Sequence, residues 1–230
     1  MRVLFQNNLP LAEFVLRIIL NKDDLVLTKE ETQYDLKRLA GARSLCLDVK
    51  AVDDEDTNFD IEIQKASSGA RPHRARYHSS AIDVDSLDEG QDFEELPDSF
   101  VIFVTEEDIY GENQPIYTID RVNTTTGKLF DDGEHILYVN GAYEGDSDIG
   151  KLMHDFRCSD ADDMNYDILA DRTRYLKEDP KGVREMCAIL EEMRNETEHN
   201  VRIRIAKQLL LGGKLSYEEI AESTQLTISE

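Results

Sequence analysis

Leu11, Phe14, Val15, Ile18 and Ile19 recur at the spacing of one helix face, after an Asn8 that can cap the helix and a Pro10 that suits its first turn. The charged stretch 21–30 reads as a loop, with short strands expected near 25–28 and 33–36. Two alternating runs follow at 44–52 and 58–64, separated by the polar turn 53–57, and they predict an antiparallel hairpin. In the second run Phe59, Ile61 and Ile63 face one way, and Asp60, Glu62 and Gln64 face the other. A polar loop at 67–70 leads into a helix that opens at 71–78 and runs to about Asp83. The run S-F-V-I-F-V-T at 99–105 is almost continuously apolar, the pattern of a strand buried on both faces. Shorter strands fit 115–122 and 135–139, with turns at Thr126-Gly127 and Asp132-Gly133. This order predicts an α/β sheet domain with helices packed on it.

The character of the chain changes near residue 146, after which helices are expected at about 149–156, 161–178, 181–200 and 201–211. Met164, Ile168 and Leu169, then Val183, Met186, Cys187, Leu190 and Met193, form core stripes at helical spacing, and 180–182 is a break. The expected organisation is a core over 1–146 and a helical extension over 147–230. From Leu215 onward the extension is similar to the start of a helix-turn-helix, with Ser216 capping one helix, Ile220 and Ala221 packing inward and Thr227 able to cap a second. That stretch is acidic and stops where a recognition helix would begin, so it reads more simply as a packing or oligomerising hairpin. A homo-oligomer formed through the extension is the corresponding partner expectation.

The 230 residues suit one domain, or one plus an appendage, and can bury a sizeable core. With 49 Asp and Glu against 26 Lys and Arg, the formal charge is −23, which argues against a nucleic-acid binder unless a local cationic patch overrides it. The longest apolar stretch, 14–20, contains Arg17 and is too short to span a bilayer, and no secretory leader is recognisable. Three widely spaced cysteines argue against a disulfide scaffold and for a reducing, cytoplasmic setting.

The hairpin carries the informative chemistry. Asp48 on its first strand and Glu62 on its second become cross-strand neighbours if the register pairs them, with Gln64 on the face of Glu62. Converging carboxylates repel, and a hard cation such as Mg²⁺, which often uses one or two protein carboxylates, relieves the repulsion. The alternative is a pair of solvated acids on the polar face of a very acidic protein. Directly afterwards Lys65, Arg71, His73, Arg74, Arg76 and His78 concentrate positive charge, and no further Lys or Arg occurs until Arg121. These groups can meet the phosphates of a nucleic acid, or pair with the acids at 83–95; Arg76 and Tyr77 are expected to face back over the hairpin.

L-D-V-K-A-V-D (47–53), D-I-E-I-Q (60–64), R-A-R-Y-H-S-S (74–80), G-D-S-D-I-G-K-L-M-H-D-F (145–156) and D-R-T-R-Y-L-K (171–177), in this order, resemble the bacterial PD-(D/E)XK nuclease family transposases, kin of the recombination-promoting nucleases. The likeness covers roughly residues 1–200. It implies a restriction-endonuclease-like fold, a mixed β-sheet core flanked by helices with an α-helical C-terminal extension, and a Mg²⁺-dependent DNA endonuclease for which Mn²⁺ can substitute. By the resemblance Asp48 and Glu62 are the catalytic acids and metal ligands and Gln64 stands in the catalytic lysine position; Arg74 and Arg76 of the cationic cluster are then expected to contact the phosphates of DNA. Gln64 departs from the family's lysine because an amide cannot supply a cation, although glutamine is common there among the transposase-like relatives. Relatives also carry a longer lead-in before the first helix, where Glu13 is a further candidate neighbour of the metal. The reading of a different class is a catalytically degenerate member that acts through protein contacts.

Weaker signals add little. His154 and Cys158 lack the second ligand pair that zinc needs, and Gly127-Lys128 lacks the rest of a phosphate loop, so neither zinc nor a nucleotide cofactor is expected. Cys46 and Cys187 are expected to be buried apolar residues.

Overall fold

The computed structural model describes residues 2–36, 45–64 and 69–228. The expected strand start at Ser44, the cation Lys65 and the loop residues Ser67 and Ser68 lie outside them. The chain divides into two compact units, Met1–Thr173 and Arg174–Glu230.

In the first unit, short helix α1 (Arg2–Phe5) precedes α2 (Leu9–Leu20), capped by the Asn8 side chain and closed by Asn21 in the left-handed region at φ 52°. Six strands form one mixed sheet in the order β1-β2-β3-β4-β8-β5: β1 (Leu27–Asp35), β2 (Cys46–Asp53), β3 (Asn58–Gln64), β4 (Ser99–Thr105), β5 (Ile116–Ile119) and β8 (Glu134–Asn140). β3, β4 and β8 run parallel, and the remaining pairs are antiparallel. An exposed two-stranded ribbon, β6 (Val122–Asn123) with β7 (Lys128–Leu129), leads into β8. The two short strands expected near 25–28 and 33–36 are one strand, β1, and the strand expected over 115–122 is divided between β5 and β6.

The faces of the sheet explain the layers. Val49, Ala51, Phe59, Ile61, Ile102, Val104, Leu137 and Val139 pack on Leu11, Val15 and Leu16 of α2, on Leu152 and Met153 of α4 (Asp148–Arg157), and on Leu169 of α5 (Asp167–Glu178). Each such fully buried aliphatic side chain contributes ~1.5–3 kcal/mol. This is why the sheet-bearing unit continues to Thr173 and does not stop at 146: α4 and the first half of α5 close the core. Asp155, 1% exposed at the end of α4, accepts from the N–H groups of Asn165 and Tyr166 and so starts α5. The opposite face, with Val101, Phe103 and Tyr138, is covered by Ala75 and Ile82 of α3 (Pro72–Ser86).

The second unit carries α6 (Pro180–Gly212) and α7 (Tyr217–Thr224). Pro180 opens α6 behind the Asp179 cap, and no breaker separates 200 from 201, so the two helices expected there are one. Gly213 ends it at φ 61°, a conformation glycine adopts without strain. Ser216 and Glu219 form a capping box at the start of α7. No helix begins at Thr227 among the described residues. Cys187 and Leu190, expected in a core stripe, are exposed, and Cys46 is only half-buried: both cysteines depart from the apolar burial expected of them. No helix among the described residues is long and apolar enough to cross a membrane.

Candidate metal centre

The β2–β3 hairpin forms around its turn. Asp53, 4% exposed, accepts from the N–H groups of Glu55 and Thr57, and Asp56 takes the left-handed region at φ 64°. The turn sets the register Val49↔Ile61, Lys50↔Asp60, Ala51↔Phe59 and Val52↔Asn58. One step further along, Asp48 faces Glu62, and there side chains take over from the ladder. Glu62 Oε1 accepts the Asp48 N–H at 3.0 Å, and Asp48 Oδ2 accepts the Ile63 N–H at 3.1 Å. Directly opposed residues of an antiparallel pair share a face, so the two acids meet on the side of the sheet covered by α3.

Asp60 joins them from the same face of β3. Asp60, Glu62 and His78 are essentially excluded from solvent, and one ligand atom from each lies within 4.8 Å of the others. Burial first, and then the charge of Asp48, holds the Asp60 carboxyl well above the usual carboxylate range. Glu62 is pushed up to about 8 by burial and by the charges of Asp60 and Asp48. The donors around Glu62 favour its ionised form: besides the Asp48 N–H, its Oε2 accepts from Gln64 Nε2 at 3.1 Å and Arg74 Nη2 at 2.7 Å. Asp60 Oδ1, in contrast, is buried without a hydrogen-bond partner among the described residues. Burial and mutual repulsion therefore favour protonation within this pair of acids. The close-set carboxylates of Asp60 and Glu62, one with an unpartnered buried oxygen, fit a hard divalent cation, which would supply the charge they lack; Asp48 adjoins them through its two hydrogen bonds to β3.

Gln64 stands beside Glu62 with its amide nitrogen on the acid. Its side-chain carbonyl oxygen lies over Gly69, where an added Cβ would collide with it. The structure differs from the sequence expectation on α3. Arg74 and His78, one turn apart, face the hairpin; Arg76 and Tyr77 are exposed on the outer side. The buried stripe of α3 includes His78, Ser79 and Asp85 together with Ala75 and Ile82, so no purely apolar pattern disclosed its phase. Lys50, paired in register with Asp60, turns instead to Asp85 at 2.9 Å and lies over the Tyr34 ring at 4.2 Å. Glu13 is not with the acids: it accepts the Leu27 N–H at 2.9 Å and pairs with Arg17.

Asp60 and His78 are the two members that the sequence reading did not assign. Asp60 was signalled by its alternation with Glu62, and His78 by its four-residue spacing from Arg74. Residues 7–141 match the family model described as PD-(D/E)XK nuclease family transposase. No curated protein matches the chain.

Proposed function

Because the chain belongs to the PD-(D/E)XK nuclease family transposases, we propose that it is a Mg²⁺-dependent DNA endonuclease hydrolysing phosphodiester bonds, with Asp48 and Glu62 holding the ion and Mn²⁺ able to replace it. The observation that carries this reading is the reciprocal seating of the two carboxylates at the end of the β2–β3 ladder, beside the buried carboxyl of Asp60. When bound, the ion supplies positive charge to the attacking and departing oxygens of the phosphodiester. Gln64 orients the attacking water through its amide; without a lysine's charge, turnover is slow. Arg74, whose side chain is 40% exposed, reaches from Glu62 to a substrate phosphate, and Arg76 contacts the backbone farther along the strand. Arg71 and His73 are exposed at the first turn of α3, where helix N–H groups add to a local anion-binding field in an otherwise acidic protein. The absence of any disulfide among Cys46, Cys158 and Cys187 suits a cytoplasmic setting.

Incubation of supercoiled plasmid with the full chain in Mg²⁺ should give nicked product. EDTA should stop the reaction and rising salt should weaken DNA retention. Asp48→Ala should abolish nicking with an unchanged circular dichroism spectrum; undiminished cutting by this variant refutes the assignment. No cutting and no DNA retention at low salt would favour the degenerate member acting through protein contacts, which the uncharged Gln64 motivates.

A further inference from the structure

His78 is buried with Arg74 at one ring nitrogen and Asp60 at the other, with Glu62 Oε1 at 3.9 Å from the second, and the two close contacts determine where its ring proton sits. Arg74 Nε lies 3.1 Å from His78 Nε2, and an arginine side chain can only donate. His78 Nε2 must therefore accept, which leaves the proton of the neutral ring on Nδ1. That nitrogen lies 2.7 Å from Asp60 Oδ2 and donates to it. This is the reverse of the Nε2–H tautomer that histidine favours in water, so the site imposes it.

Two consequences follow. A divalent ion on Nδ1 would need the lone pair there, moving the ring proton to Nε2, against the Arg74 Nε–H. Two donors would then face each other, so His78 is not a ligand in this arrangement despite its closeness to Asp60 and Glu62. The second consequence concerns Arg74. With Nε held by His78, its Nη2 is aimed at Glu62 Oε2 at 2.7 Å, at the partly exposed mouth of the acid cluster. An ion on Glu62 has to displace at least one of the donors that now occupy its oxygens. Arg74 is the charged one and has the solvent exposure to move.

We propose that His78 is a positioning residue for Arg74: locked as the Nδ1–H tautomer by Asp60, it presents Nε2 as the acceptor that keeps the guanidinium of Arg74 at the edge of the acid cluster, where it meets a substrate phosphate. The phosphate contact rests on the nuclease reading; the tautomer and the aim of Arg74 do not.

The test has two arms, both on the full chain. Long-range proton–nitrogen correlation NMR of metal-free protein labelled at histidine, with the signals of His78 identified by their loss in His78→Gln, should show a protonated Nδ1 and a bare Nε2. An Nε2–H ring or a doubly protonated ring overturns the proposal. In the second arm, DNA binding is followed by fluorescence anisotropy over a salt series, with Ca²⁺ replacing Mg²⁺ so that nothing is cut. Arg74→Gln should lower the salt slope by about 0.9, the share of one duplex phosphate contact. His78→Asn, which keeps a donor for Asp60 but does not reach Arg74, should lower it equally. His78→Gln, whose amide oxygen can take the place of Nε2, should recover most of it. Equal loss in both His78 variants, or no loss in His78→Asn, overturns the positioning role. Failure of the unaltered protein to bind DNA, with the Nδ1–H ring present, overturns the nuclease reading and the phosphate contact together.

Discussion

Seating a divalent ion on Asp48 and Glu62 should expel a proton, and the structure indicates how much. Burial and mutual repulsion raise Glu62 to about 8 and Asp60 well above its ordinary value. A Glu62 carboxyl that titrates near 8 keeps ~0.9 of a proton at pH 7 and ~0.1 at pH 9. Ionising it at pH 7 costs ~1.4 kcal/mol, so apparent Mg²⁺ affinity should rise about tenfold between pH 7 and pH 9. Calorimetric titration with Mg²⁺ in two buffers of different ionisation enthalpy should report release of ~0.9 proton per ion at pH 7 and almost none at pH 9. Asp60→Asn, which removes one of the charges that raise Glu62, should reduce both the release and the pH dependence. Binding at pH 7 with no proton release would refute the argument that burial and the neighbouring carboxylates keep Glu62 protonated.

Other outcomes follow from single contacts. Burial raises Glu30 to about 7, so the protonated folded form is favoured below pH 4.5 and its contribution is lost as pH rises through 7. Glu30→Gln should therefore reduce the fall in urea-measured stability between pH 5 and pH 8 by ~1 kcal/mol, after discounting for partial exposure; an unchanged slope contradicts the burial argument. Asp155→Ala removes the buried acceptor of the Asn165 and Tyr166 N–H groups and should cost ~3 kcal/mol in chemical unfolding, whereas a cost below 1 would mean that α5 starts without it. Gly69→Ala places a methyl on the Gln64 carbonyl oxygen and should lower Mg²⁺-dependent nicking several-fold with little change in Tm. Full activity there would remove Gln64 from the site.

The hairpin was legible because strict alternation at 58–64 and a polar turn at 53–57 leave one antiparallel pairing that buries Phe59 and Ile61, and that pairing brings Asp48 to Glu62. The buried β4 was equally legible from its unbroken apolar run. The phase of α3 was not, since its covered side carries His78, Ser79 and Asp85, which are polar residues made tolerable by partners distant in sequence such as Asp60 and Lys50. The end of the sheet-bearing unit was obscured for a related reason. A change from strands to helices at 146 marks a change of secondary structure, while Leu152, Met153 and Leu169 still belong to the core on which the sheet rests. Asp60 escaped assignment because alternation places it on the acid face without telling that α3 would bury it completely.

The most direct test is anomalous diffraction from crystals of the full chain soaked in Mn²⁺. The account predicts one strong peak at coordinating distance from carboxylate oxygens of both Asp48 and Glu62, with the Arg74 guanidinium drawn off Glu62. A peak held by other residues, or no peak at these two acids in protein that cleaves DNA, would contradict it.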